Sequence, residues 1–302
     1  MFSSRGIILS IVFIFTYALV FWGIGVGKTF FGWWVWGLVT GAIAGFILLI
    51  IAYRYSTGIL FHVTRAIPLK SGKYPYVADA LKAFSGKYNL PIPKVYCSKD
   101  ILPDFYVFGK SFERCIFVFT EGFLDEGRPE HIRAALAWTM VSANRGSLQM
   151  RTLGSVMAYI FMYPAKIADF ISRGTEGRYN LLNLILLLPL APVAALFVHL
   201  ALGGKNEIYA TDERTTEITG DQGYLGVTLI EISKKISDFA IDTDLALIPL
   251  FIVPPRCSNF YFSLFRPFPP IAKRINRLIK QREHKRKELE KQLQGNSGSL
   301  KL

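Results

Sequence analysis

A chain of 302 residues could hold one or two domains, but 51% of it is hydrophobic and its mean hydropathy is +0.32, which points to a membrane protein rather than to soluble domains. The formal charge of +13 could serve nucleic acid, but in so apolar a chain it points to an anionic membrane surface. Cys97, Cys115 and Cys257 form no CxxC pair, which argues against a disulfide framework and reads as reduced, buried thiols.

Taken in order, Gly6–Val26 and Trp33–Tyr53 are continuous apolar runs, each long enough to cross a bilayer about 30 Å thick. Arg5 precedes the first and Arg54, Arg65 and Lys70 follow the second, which places the N-terminus and the following segment in the cytoplasm. Gly37, Gly41 and Gly45 form a tandem GxxxG ridge, read as a close contact with the first span. Between Ser56 and Glu126 the pattern is α/β. A helix falls near Tyr76–Tyr88, and short aromatic strands fall at Lys94–Ser98, Phe105–Phe108 and Cys115–Thr120. An alanine-rich helix is expected over Pro129–Met150, with Pro129 suiting its first turn.

Leu153–Ile171 and Asn180–Leu202 form a second pair of apolar runs, the first interrupted by Pro164, Lys166 and Asp169. Counting both gives four spans. Asn206–Gly220 and Tyr224–Lys235 read as helices. Val253–Pro270 is too rich in proline for regular helix. Lys273–Gln294 is a basic helix carrying Lys273, Arg274, Arg277, Lys280, Arg282, Lys285, Arg286 and Lys287, expected to meet an anionic surface.

Several blocks occur in an order that resembles the HtpX-type membrane zinc metallopeptidases. They are Leu90-Pro-Ile-Pro93, Asp104-Phe-Tyr-Val-Phe-Gly109, Ile116–Leu124, Ile132–Ala137, Asp212 with Glu217-Ile-Thr219, and Pro269-Pro-Ile-Ala-Lys-Arg-Ile275. The resemblance implies a membrane-anchored α+β protein. About four transmembrane helices would carry a cytoplasmic, gluzincin-type domain, mostly helical with a small β-sheet. Its parts would be 1–54 (membrane hairpin), 55–151 (α/β), 152–203 (second hairpin), 204–281 (helical completion) and 282–302 (basic tail).

The family's H-E-x-x-H helix would fall on Ala137, Trp138, Thr139, Met140 and Val141, or one residue later, ending at Ser142. The third ligand, four residues before Asp212, falls on Ile208. None of these can bind zinc, which needs three or four His, Cys or carboxylate ligands. The expectation is therefore a chain with no metal and no cofactor, not an enzyme, acting as a scaffold, regulator or subunit of a membrane protein complex. Its partners would be membrane lipids and other membrane proteins, with no specific nucleic acid. The alternatives are non-zinc chemistry in the altered cleft, at Ser142 or a cysteine, and an anionic-lipid-binding module. His199 reads as a packed histidine inside a span.

Overall fold

The computed structural model describes residues 4–26, 33–69, 72–99, 104–126, 128–172, 181–219, 222–237, 245–253 and 268–299. Cys257, most of the aromatic stretch Phe260–Phe268 and the tail beyond Ser299 lie outside them. The helices are α1 (Ser4–Val26), α2 (Trp33–Thr64), α3 (Pro75–Tyr88), α4 (Glu121–Glu126), α5 (Pro129–Asn144), α6 (Ser147–Ser172), α7 (Leu181–Leu202), α8 (Lys205–Thr219), α9 (Gln222–Ser237) and α10 (Ile271–Ser299). The strands are β1 (Ile67–Pro68), β2 (Lys94–Ser98), β3 (Phe105–Gly109) and β4 (Cys115–Thr120).

Among the described residues, three stretches are long and apolar enough to cross a membrane: Ser4–Trp22, Val35–Thr64 and Leu188–Thr219. The run Leu153–Ile171, expected as a fourth span, is not among them. It is one continuous helix that carries Pro164 in its interior. The glycine ridge faces α1. A Cβ on Gly41 would stand 2.7 Å from the Tyr17 carbonyl oxygen, and one on Gly37 2.8 Å from that of Phe21. Only glycine lets the two backbones approach this closely. Deeper in the bundle, the rings of Phe13, Phe161 and Phe197 tie α1, α6 and α7 together, with centroids 5.3–5.6 Å apart.

The sheet runs β1-β2-β4-β3, with β2 and β4 parallel and the other pairs antiparallel. Side chains alternate across a strand, and here both faces are covered. Phe105, Val107, Phe117 and Phe119 enter the core made with α3, α5 and α9. Tyr106, Phe108 and Val118 enter the core made with α2, α6 and α7. The sheet is thus a plate between two apolar cores, which is why FYVFG and CIFVFT read as unbroken apolar runs.

The central helix is shorter than its pattern suggests. Pro129 opens α5, where the Arg128 N–H donates to His131 Nδ1 at 3.4 Å and the His131 N–H donates to the Arg128 carbonyl at 2.9 Å. The expected run to Met150 breaks at Gly146, whose φ of +72° is left-handed. Ser147 donates to the Ser142 carbonyl at 3.0 Å and begins α6.

Candidate functional site

α5 is built to be surrounded. Ala134, Ala135 and Ala137 are buried and small, so α3, α8 and α9 pack closely on it. The largest side chain buried on this helix is Trp138, 1% exposed. Its indole Nε1 donates to Asp212 Oδ1 on α8 at 3.1 Å. Asp212 also receives a two-pronged bond from Arg274 on α10, Nε to Oδ2 at 2.7 Å and Nη2 to Oδ1 at 2.8 Å. The third arm of Arg274, Nη1, reaches the Ile252 carbonyl at 2.8 Å. Fork-to-fork pairing of this kind is the strongest geometry for a charge pair.

Arg151, near the start of α6, lies over the Trp138 ring with its Cζ 4.6 Å from the centroid. It is 1% exposed. Burial first, and then the charge of Arg274, push its pKa down to about 10, so the guanidinium stays charged at neutral pH. Around this centre, Asp104 is buried on the first residue before β3. Its Oδ1 accepts from the Phe105 N–H at 2.7 Å. Burial holds its carboxyl pKa well above the usual range, against the opposing pull of the Phe105 N–H and Arg274.

The sequence-expected residues fall here as follows. Ala137, Trp138, Thr139, Val141, Ser142 and Ile208 are all buried. Thr139 spends its hydroxyl on the Ala135 carbonyl at 2.9 Å. Ile208 faces the membrane-side core. Glu207, one residue away, is bound by Arg145 (2.9 and 3.2 Å) and by Arg5 at the head of α1 (3.1 Å). It clips the first membrane helix and the α5–α6 turn to α8.

Arg274 is corrected: it was expected on the exposed basic face, and it is a buried anchor whose partner stands 62 residues away on α8. Of the remaining basic residues on α10, Lys273, Arg277, Lys280, Arg282, Lys285, Arg286 and Lys287 are exposed. His199 is exposed on α7 rather than packed. His131 pairs with Glu231 at 3.1 Å beside a small cleft lined by Phe123, Thr228 and Lys235. Cys97 and Cys115 are buried, and burial pushes the Cys115 thiol up to about 12, which makes it a poor nucleophile. Arg151 was missed. Its signal was a lone arginine opening an apolar run, a pattern that also describes any helix entering a membrane.

A zinc ion does not fit this core. Among the described residues, no three His, Cys, Asp or Glu side chains come together to hold a metal. Both oxygens of Asp212 are already bonded.

No protein-family model matches the chain. Individual relatives do. A protease HtpX homologue of Syntrophobacter fumaroxidans is 26% identical over 261 residues, covering 81% of this chain and 92% of its own. Another, from Thermococcus sibiricus, is 26% identical over 264 residues, covering 83% and 90%. The chain is similar to these HtpX homologues along most of its length. The crystal structure of S. mikatae Ste24p is similar to it with a TM-score of 0.45 at 14% identity, covering 91% of this chain and 64% of that one. The HtpX relationship overturns the expectation that the chain is not an enzyme, because the relatives it aligns with along most of their length are named proteases. An integral membrane protein similar to the HtpX proteases is the coarser description that holds.

Proposed function

We propose that this HtpX-related protein lies in the cell (inner) membrane, with its N-terminus and sheet on the cytoplasmic side. There it grips segments of other membrane proteins as a subunit or regulator of a larger assembly. One observation carries the reading. A framework that aligns with membrane proteases holds Trp138, one of the residues read at the zinc-helix positions, in a closed network with Asp212 on α8 and Arg274 on α10. The orientation rests on Arg5, Arg54 and Arg65 flanking the first two spans. The exposed basic face of α10 is the part that meets anionic lipid, at about 1 kcal/mol per residue near the surface.

The test is crosslinking in native membranes followed by gentle-detergent purification. The expected result is a reproducible set of membrane-protein partners; a chain recovered alone from crosslinked membranes overturns the reading. Hydrolysis of polypeptides is the second reading, favoured by the relatives' name. Cleavage of casein by the purified protein, compared with its Ser142→Ala variant and with added chelator, tests it.

A further inference from the structure

Among the described residues, one fully buried guanidinium makes no ion pair. Asp212 is matched by Arg274, and Glu207 by Arg145 and Arg5. Arg151 is matched by neither. Its Nε, Nη1 and Nη2 have no hydrogen-bond partner among the described residues, although the side chain is buried. A guanidinium carries five N–H donors, and an uncompensated buried charge is among the costliest features a fold can hold. Two further buried hydroxyls, on the same two helices as Arg151 and Trp138, are also without partners among the described residues. Ser155 lies one helical turn beyond Arg151 on α6, and Ser142 one turn beyond Trp138 on α5; both are fully buried. The Trp138 ring lies against the guanidinium, its centroid 4.6 Å from Cζ, and a ring contact of this kind uses none of the in-plane N–H donors.

We propose that Arg151, with Ser142 and Ser155, forms a buried receptor for a small monovalent carboxylate of the size of formate or acetate. The planar fork sets two parallel N–H bonds against the two oxygens of a carboxylate. The serine hydroxyls can donate to the same oxygens. A single negative charge neutralises the Arg151 guanidinium, whereas a dianion exceeds it. Full burial limits the ligand to a few atoms. The site is independent of whether the protein grips or cuts polypeptides.

The experiment uses the full chain in mild detergent. Thermal unfolding is followed while sodium formate, acetate, chloride or phosphate is titrated at constant ionic strength set by methanesulfonate. Formate and acetate are expected to raise Tm along a saturating curve. Chloride and phosphate are expected to act at least about tenfold more weakly, given the loss of two-point pairing. Arg151→Lys is expected to shift the midpoint by about tenfold, and Arg151→Gln to abolish the response. Should Arg151→Gln fail to fold, saturable line broadening of isotope-labelled formate by the wild-type protein, reversed by acetate, supplies the readout. Absence of any saturable carboxylate effect on the wild type, as water-filled donors would give, overturns the proposal. So does an equal response to chloride, or an unchanged response in Arg151→Gln.

Discussion

Two guanidinium groups lie in one buried core and are treated in opposite ways. Arg274 has its Nε, Nη1 and Nη2 bonded, two of them to Asp212 and one to the Ile252 carbonyl. Arg151, on the other side of Trp138, has none bonded within the described chain. The first arrangement is structural. It fastens α10 to α8 and to the segment before the proline-rich stretch, so the last helix belongs to the fold up to that point. The second makes a ring contact with Trp138 but no hydrogen bond, so its five N–H donors are left without a structural role among the described residues.

The sharpest way to break the contrast is to turn Arg274 into a second Arg151. Asp212→Ala strands a buried guanidinium and the Trp138 N–H together, and the expected cost is about 3–5 kcal/mol. Arg151→Met is the opposite case. It replaces an unpaired buried charge by an apolar side chain of similar length, and is expected to be neutral or stabilising in carboxylate-free buffer. Denaturant unfolding in mild detergent, followed by circular dichroism, compares the two. A loss for Arg151→Met as large as that for Asp212→Ala would mean that Arg151 has a structural role of its own.

The contrast also shows what the sequence could and could not reveal. Strands β3 and β4 were legible, because a segment buried on both faces is apolar at every position whatever its partner, and so were three of the four expected membrane runs. The break at Gly146 was written in Asn144-Arg145-Gly146, but the alanine-rich pattern on one side and LQM on the other continued the helical period across it. Arg274 was hidden among seven basic neighbours. What distinguishes it is its partner on α8, and no local pattern reports a contact 62 residues away. Arg151 was hidden for the same reason, because its burial is set by α5 lying across it. The reading of Ala137–Ser142 against the family's motif could not decide activity, and the relatives' name ran against the inference drawn from it.

A second contrast is between this polar core and the membrane hairpin, which contains almost nothing but shape. Gly41→Val puts a branched side chain where even a Cβ meets the Tyr17 carbonyl at 2.7 Å. The expected cost is about 1–3 kcal/mol by overpacking, seen as a lower Tm. Gly58→Val, on the same helix but with open space around it, is the control and is expected to change Tm far less.

Asp104 sharpens the electrostatic side. Its carboxyl pKa is raised in the folded protein, chiefly by burial. A raised carboxyl favours the folded state below its unfolded pKa, and that contribution is lost as pH rises through the folded value. Asp104→Asn keeps an acceptor for the Phe105 N–H and cannot ionise. The stability of Asp104→Asn relative to wild type is therefore expected to grow from mildly acidic to mildly alkaline pH. Parallel melts across that range check the sign, and a difference that shrinks as pH rises would place the charged form in a friendlier site than the structure gives it.

The smallest effect on folding is expected where the charge is greatest. Lys280, Arg282, Lys285 and Lys287 are exposed along α10, beyond the Arg274 anchor. Their joint replacement by glutamine should move unfolding by no more than about 0.5 kcal/mol, since exposed charges contribute little to stability. Binding to anionic surfaces should respond far more. The wild-type basic segment is expected to adsorb to phosphatidylserine vesicles and to release as salt shortens the screening length below about 10 Å. The quadruple variant is expected to lose most of that binding while keeping the melting curve of the wild type. Truncation is the wrong tool here, because a cut placed at Lys273 removes Arg274 as well and unfastens α8. Only point substitution separates the charge that holds the fold from the charge that faces the lipid.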